Sequence, residues 1–158
     1  MNLPSKKYHV LYANPLLDFR ERNLVQRPEY PVKSFDELKN VDIGSISKKD
    51  SVLFMWTDGI NLTKALDLIK SWGFTYRRIA FVLYDSNDKK VTPRFCLMSV
   101  KGKPASTKIN KICNVFDGSA VSEVGIGDII RSYYKKASMI KLLFRQEDVK
   151  GWSQWGSW

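Results

Sequence analysis

The amino-acid sequence predicts an α/β fold: a mostly parallel central sheet with an antiparallel strand, flanked by helices. Two short apolar runs set this reading. Residues 8–13 are stopped by Asn14-Pro15, and residues 51–56 by Thr57-Asp58-Gly59. Continuous apolar runs of strand length mark strands covered on both faces, as in a parallel sheet. Between and after them the hydrophobic period becomes helical, with the start and stop residues that helices need.

Residues 18–31 are polar, rich in arginine and contain Pro28 and Pro31, so they are expected to loop over the strand ends. Ser34 is a good N-cap and Glu37 stands three residues on, the capping-box spacing for a short helix through Phe35-Asp36-Glu37-Leu38. Asn61 or Thr63 opens the next helix, in which Leu62, Ala65, Leu66, Ile69 and Trp72 recur at helical spacing before Gly73 closes it. Residues 79–84 and 95–100 are two further strands. The polar connection 85–93 between them is short, which makes them antiparallel neighbours. Residues 109–116 are expected as a strand of edge character. Residues 127–137 are expected as a helix with Ile129, Ile130 and Tyr133 or Tyr134 facing inward, and residues 139–144 as the last strand. Trp152 and Trp155 are expected to pack the following segment onto the sheet, with Trp158 exposed.

A chain of 158 residues, 44% hydrophobic and 13% aromatic, has the material for one sizeable core, so residues 1–158 are expected to form a single domain. The formal charge of +10 is spread along the whole length rather than gathered in a tail. A basic folded surface favours polyanions as partners, nucleic acid ahead of membrane. Two cysteines, Cys96 and Cys113, do not make a disulfide framework and fit a reducing compartment. No apolar window approaches a membrane span and no targeting segment is legible. The expectation is an intracellular protein, nuclear or cytoplasmic. Cys96, Cys113 and His9 lack metal-ligand spacing, so no metal is expected. His9 lies within the first strand and reads as a packed or edge residue, and Gly125-Ile126-Gly127 lacks the third glycine and preceding strand of a dinucleotide loop.

Asn14-Pro15-Leu16-Leu17 carries the chemistry. Methylating an exocyclic amine takes a carboxamide or carboxylate and a proline carbonyl to accept hydrogen bonds from the NH2, with an aromatic ring stacked on the base. Asn14 and Pro15 supply the two acceptors, whereas Leu16 and Leu17 put no ring beside them. The strand 10–13 with Asn14-Pro15, then Tyr30-Pro31 through Ser34-Phe35-Asp36-Glu37-Leu38, then Val52-Leu53-Phe54-Met55-Trp56-Thr57 follow in order. Ala65-Leu66-Asp67-Leu68-Ile69, Trp72-Gly73-Phe74, Val100-Lys101-Gly102 and Gly151-Trp152-Ser153-Gln154-Trp155-Gly156 complete the series. Together these pieces resemble the MT-A70 family of N6-adenine methyltransferases, which modify adenine in RNA or DNA with S-adenosylmethionine. The resemblance implies a Rossmann-like methyltransferase fold. It makes Asn14 and Pro15 the catalytic pair of the family's Asp-Pro-Pro-Trp loop, vestigial here beside Leu16 and Leu17.

Other departures reach the cofactor site. The family's Trp-Gly-Asn-Glu-like segment is here Trp155-Gly156-Ser157-Trp158, leaving Ser157 as a shortened group for the cofactor's ribose. Pro93-Arg94-Phe95 stands where the family has a Glu or Lys over the cofactor, and the Ser-x-Lys-Pro element has no counterpart around Ser122-Glu123-Val124-Gly125. S-adenosylmethionine is therefore the cofactor if there is one, its binding weakened or lost. Arg20, Arg22, Arg27 and Lys33, with Lys101, Lys103 and Lys108, are the expected nucleic-acid contacts, bracketing the Asn14 rim. The expected function is that of an inactive MT-A70-like domain, a nucleic-acid-binding or structural subunit beside an active methyltransferase or in a homodimer. The alternatives are a working N6-adenine methyltransferase and a protein-interaction scaffold with no nucleic-acid role.

Overall fold

The computed structural model describes residues 2–15, 34–87, 93–110, 113–144 and 149–156. Its strands are β1 Tyr8–Ala13, β2 Ser47–Asp58, β3 Thr75–Tyr84, β4 Arg94–Lys101, β5 Asn114–Asp117, β6 Met139–Leu142 and β7 Ser153–Trp155. They form a seven-stranded sheet in the order β5-β3-β4-β2-β1-β6-β7. β1 is parallel to β2 and β6, β5 to β3, and β7 to β6, while β4 runs antiparallel to both its neighbours, β2 and β3. The mixed α/β sheet read from the apolar runs is the observed one. The expected loop 18–31 lies outside the described residues.

Strand alternation divides the core. Leu11, Ala13, Leu53, Met55, Leu97, Ile140 and Leu142 face one side, where α1 (Phe35–Lys39), α2 (Ile43–Ile46) and α3 (Leu62–Ser71) cover them. Val10, Tyr12, Val52, Phe54, Trp56, Cys96 and Met98 face the other, under α4 (Glu123–Tyr133). α1 has the expected capping box: Ser34 Oγ accepts from the Glu37 amide at 3.2 Å, and the Glu37 carboxylate accepts from the Ser34 amide at 2.6 Å. α3 seats Ala65, Leu68 and Ile69 in the core, with Trp72 donating from Nε1 to the Leu38 carbonyl at 2.9 Å. Ala65, Ile69 and Trp72 of the expected stripe are buried, Leu68 joins them fully buried, and Leu62 at the first turn is instead 36% exposed. Gly73 ends the helix in the left-handed conformation, φ 83°.

Three expectations are corrected by local chemistry. Residues 109–116 do not form one strand. A single 3₁₀ turn, Lys108–Asn110, buries Ile109, and only Asn114–Asp117 pairs, at the sheet edge. The helix expected over 127–137 begins instead after Ser122, whose Oγ accepts from the Gly125 amide at 3.3 Å, and ends at Tyr133. Gly127 inside it is a point of close approach, because a Cβ there would stand 3.2 Å from the Tyr12 ring. The last strand stops at Leu142 rather than 144, since Leu143 takes φ 61° and turns the chain away. Sequence reading gave Trp152 and Trp155 only a packing role, but residues 153–155 join the sheet as β7.

Candidate active site

β1 has parallel neighbours on both sides, and its carboxyl end is where an open α/β sheet offers a crevice for ligands. Asn14 follows it directly, with its amide held by the Leu142 carbonyl at 3.0 Å, so the residue is fixed to the ends of two strands at once. Parity then decides what it meets. Asn14 continues the Val10-Tyr12 face, and the register of β2 and β4 brings Trp56, Asp58, Cys96 and Arg94 to the same face. Asn14 and Pro15 are both buried, Asn14 being 7% exposed.

The Asn14 carboxamide has a partner. Arg94 Nη2 donates to Asn14 Oδ1 at 2.7 Å, and since a guanidinium has donors only, the amide oxygen is the atom that faces it. Arg94 Nη1 forms an ion pair with the Glu123 carboxylate at the start of α4, and its Cζ lies 5.5 Å from the centre of the Trp56 ring, the geometry of a cation–π contact. Beneath this cluster Trp56 Nε1 donates to the Tyr12 hydroxyl at 2.6 Å, and Tyr12 donates to the Glu123 backbone carbonyl at 2.6 Å. Burial pushes the Tyr12 phenol and the Cys96 thiol well above their ordinary pKa values, so both stay protonated. Burial also lowers the Arg94 pKa from the usual arginine value, although an arginine starts so high that it keeps its charge at neutral pH. The positive charge is accommodated because Glu123 neutralises it and Trp56 covers it.

The rest of the rim is less chemical. Asp58 Oδ1 accepts from the Asn61 amide at 2.8 Å and from Asn61 Nδ2 at 3.0 Å, a turn that launches α3. Beyond β6 come Leu143 and Phe144, both buried, and beyond β7 comes Gly156. None of these three carries a carboxylate or amide side chain to accept from ribose hydroxyls. Lys141 is buried in β6 with its Nζ 5.3 Å from the centre of the Phe144 ring.

Leu16, Leu17, Arg20, Arg22, Arg27, Lys33 and Ser157 lie outside the described residues. Lys101 and Lys103 do not bracket the Asn14 rim as expected: β4 runs antiparallel, so Arg94 meets Asp58 at that rim while Lys101 pairs with Ser51 at the opposite rim. There Lys101 Nζ donates to the Gly44 carbonyl at 3.2 Å and to Ser47 Oγ at 2.8 Å, and the Lys103 amide donates to Asp50 at 2.7 Å. The partners missed at the site are Glu123, Tyr12 and Trp56. A carboxylate in the first turn of a helix and an arginine opening an otherwise apolar strand were the available signals. Among the described residues, no group of His, Cys, Asp and Glu side chains has the arrangement of a metal site, and no helix is long and apolar enough to cross a membrane.

No family model matches the chain. It is 28% identical over 185 residues to the type II methyltransferase M.MunI of a Mycoplasma species, a match covering 98% of this chain and 78% of that protein. The alignment is longer than the chain itself, so that relative carries segments without a counterpart here. The described sheet has the methyltransferase arrangement, and nearly the whole chain is similar to a methyltransferase.

Proposed function

We propose that residues 1–158 are one MT-A70-like domain, of the type that methylates adenine N6 with S-adenosylmethionine, which does not catalyse methyl transfer by itself. It serves as a nucleic-acid-binding or structural subunit, beside an active methyltransferase subunit or a second copy of itself. The observation that supports this reading is the Arg94–Asn14 hydrogen bond, because it places a guanidinium against the oxygen that would accept from the substrate amine and takes one of its two acceptor sites. Nothing aromatic stands at Leu16 or Leu17 to hold a base in position, and base stacking is worth about 1–3 kcal/mol. Loss of positioning is amplified in rate. The apolar ends of β6 and β7 support weak or absent cofactor binding. Nucleic acid, RNA or DNA, remains the partner class favoured by the charge of +10. The purified chain, incubated with labelled S-adenosylmethionine and adenine-containing RNA or DNA oligonucleotides, is expected to transfer no methyl group. Formation of N6-methyladenine would refute the reading.

A second reading, a working methyltransferase, draws on the similarity to M.MunI across 98% of the chain. It requires Arg94 to swing aside, and it predicts tight binding of S-adenosylmethionine by calorimetry together with complete loss of activity in Asn14→Ala.

A further inference from the structure

We propose that Arg94 is a built-in occupant of the place of a target base, and that Asn14 and Trp56 behind it form a latent site for an aminopurine. The inference rests on the methyltransferase-type reading above and goes beyond it, since it assigns the closure of the pocket to one removable side chain. The resemblance between plug and ligand is chemical. A guanidinium is planar, presents NH2 groups in its plane and offers π-faces, as does the amidine edge of adenine. One Arg94 NH2 donates to Asn14 Oδ1 at 2.7 Å, and the guanidinium carbon stands 5.5 Å from the Trp56 ring centre, within cation–π reach.

The surroundings fit a plug better than a core packing residue. The Arg94 side chain is 32% exposed, so it stands at the mouth of the crevice, while Trp56 beneath it is wholly covered. Its anchor, Glu123, is also partly exposed and belongs to α4, whereas Asn14 and Trp56 belong to the sheet. Trp56 is held from below by its hydrogen bond to Tyr12, which does not depend on Arg94. Shortening Arg94 therefore bares a fixed ring face and a fixed carboxamide oxygen together. That ring is the stacking surface that the sequence lacks at Leu17.

The test compares adenosine binding, by saturation-transfer NMR and calorimetry, in the wild type, Arg94→Ala and Arg94→Ala/Glu123→Gln. The double variant removes the carboxylate left without its cation, and Arg94→Lys, which keeps a charge opposite Glu123 without a planar fork, gives the reading if neither alanine variant folds. The account expects at least about tenfold tighter adenosine binding in the opened variants, in line with the value of one stacked base. It also expects that gain to disappear when Asn14→Ala is added. Equal affinity in the wild type and every folded variant would overturn the plug, as would a gain that survives Asn14→Ala. Methyl transfer by the wild type would sink the functional reading above yet leave this affinity comparison to decide on its own.

Discussion

At one end of β4 a cation is drawn into the rim of the sheet, and at the other a cation pins a helix. Arg94 bridges Asn14 on β1 and Glu123 on α4 across the face of Trp56. Lys101, seven residues along the same strand, reaches the Gly44 carbonyl and Ser47 Oγ and so fastens α2 to the start of β2. Both are positive charges at strand ends, yet only the first touches Asn14. Because β4 is antiparallel to β2, the strand that delivers Arg94 to the Asn14 rim must carry Lys101 away from it. Charge in the sequence is therefore not charge at the site, and topology decides between them.

The largest expected effect is at the Arg94 end. Trp56→Ala removes a fully buried ring and leaves the Tyr12 hydroxyl short of a donor, and it should cost about 3–5 kcal/mol in chemical denaturation. Glu123→Ala comes next. It strips the partly exposed Arg94 of its counter-charge, for about 1–2 kcal/mol after allowing for solvent screening. At the other end, Lys101→Ala loses one hydrogen bond to α2 and one to Ser47 at the start of β2, and should cost about 1 kcal/mol. If nucleic acid binds the Asn14 rim, Lys101→Ala leaves the salt dependence of oligonucleotide binding unchanged, and a slope lowered by about one unit would move the contact surface to the opposite rim. The smallest effect concerns His9. Its Nδ1 accepts from the Ser138 amide at 3.3 Å, which needs a neutral ring. Burial first, then the charge of Lys48, lowers its pKa below 6.5. The neutral ring's contribution is thus present above the unfolded pKa of about 6.5 and lost as pH falls through the lower folded value. An NMR titration of the His9 ring should give a midpoint below 6.5.

The apolar runs 8–13, 51–56, 79–84 and 95–100 disclosed the central strands because burial on both faces leaves an unbroken hydrophobic signature. Ser34 and Glu37 disclosed α1 because capping is local chemistry. β7 was illegible. Three residues with two polar side chains carry no strand pattern, and they pair only because β6 presents an edge beside them. The candidate site was half legible. Asn14-Pro15 could be read at a strand end, and Thr57-Asp58 on the same rim follows from β1 and β2 being parallel. The Arg94–Asn14–Glu123 arrangement spans 109 positions of the chain and depends on strand register, which a list of hydrophobic runs does not contain.

The most direct measurement is the side-chain 15N NMR spectrum of Arg94, with and without Asn14→Ala. An Asn14 oxygen engaged from within predicts distinct, slowly exchanging Arg94 Nη protons in the wild type that broaden or average when Asn14 is removed. Averaged, rapidly exchanging Arg94 protons in both proteins would mean that the guanidinium swings in solvent, leaving the carboxamide open to a base, and would contradict the account.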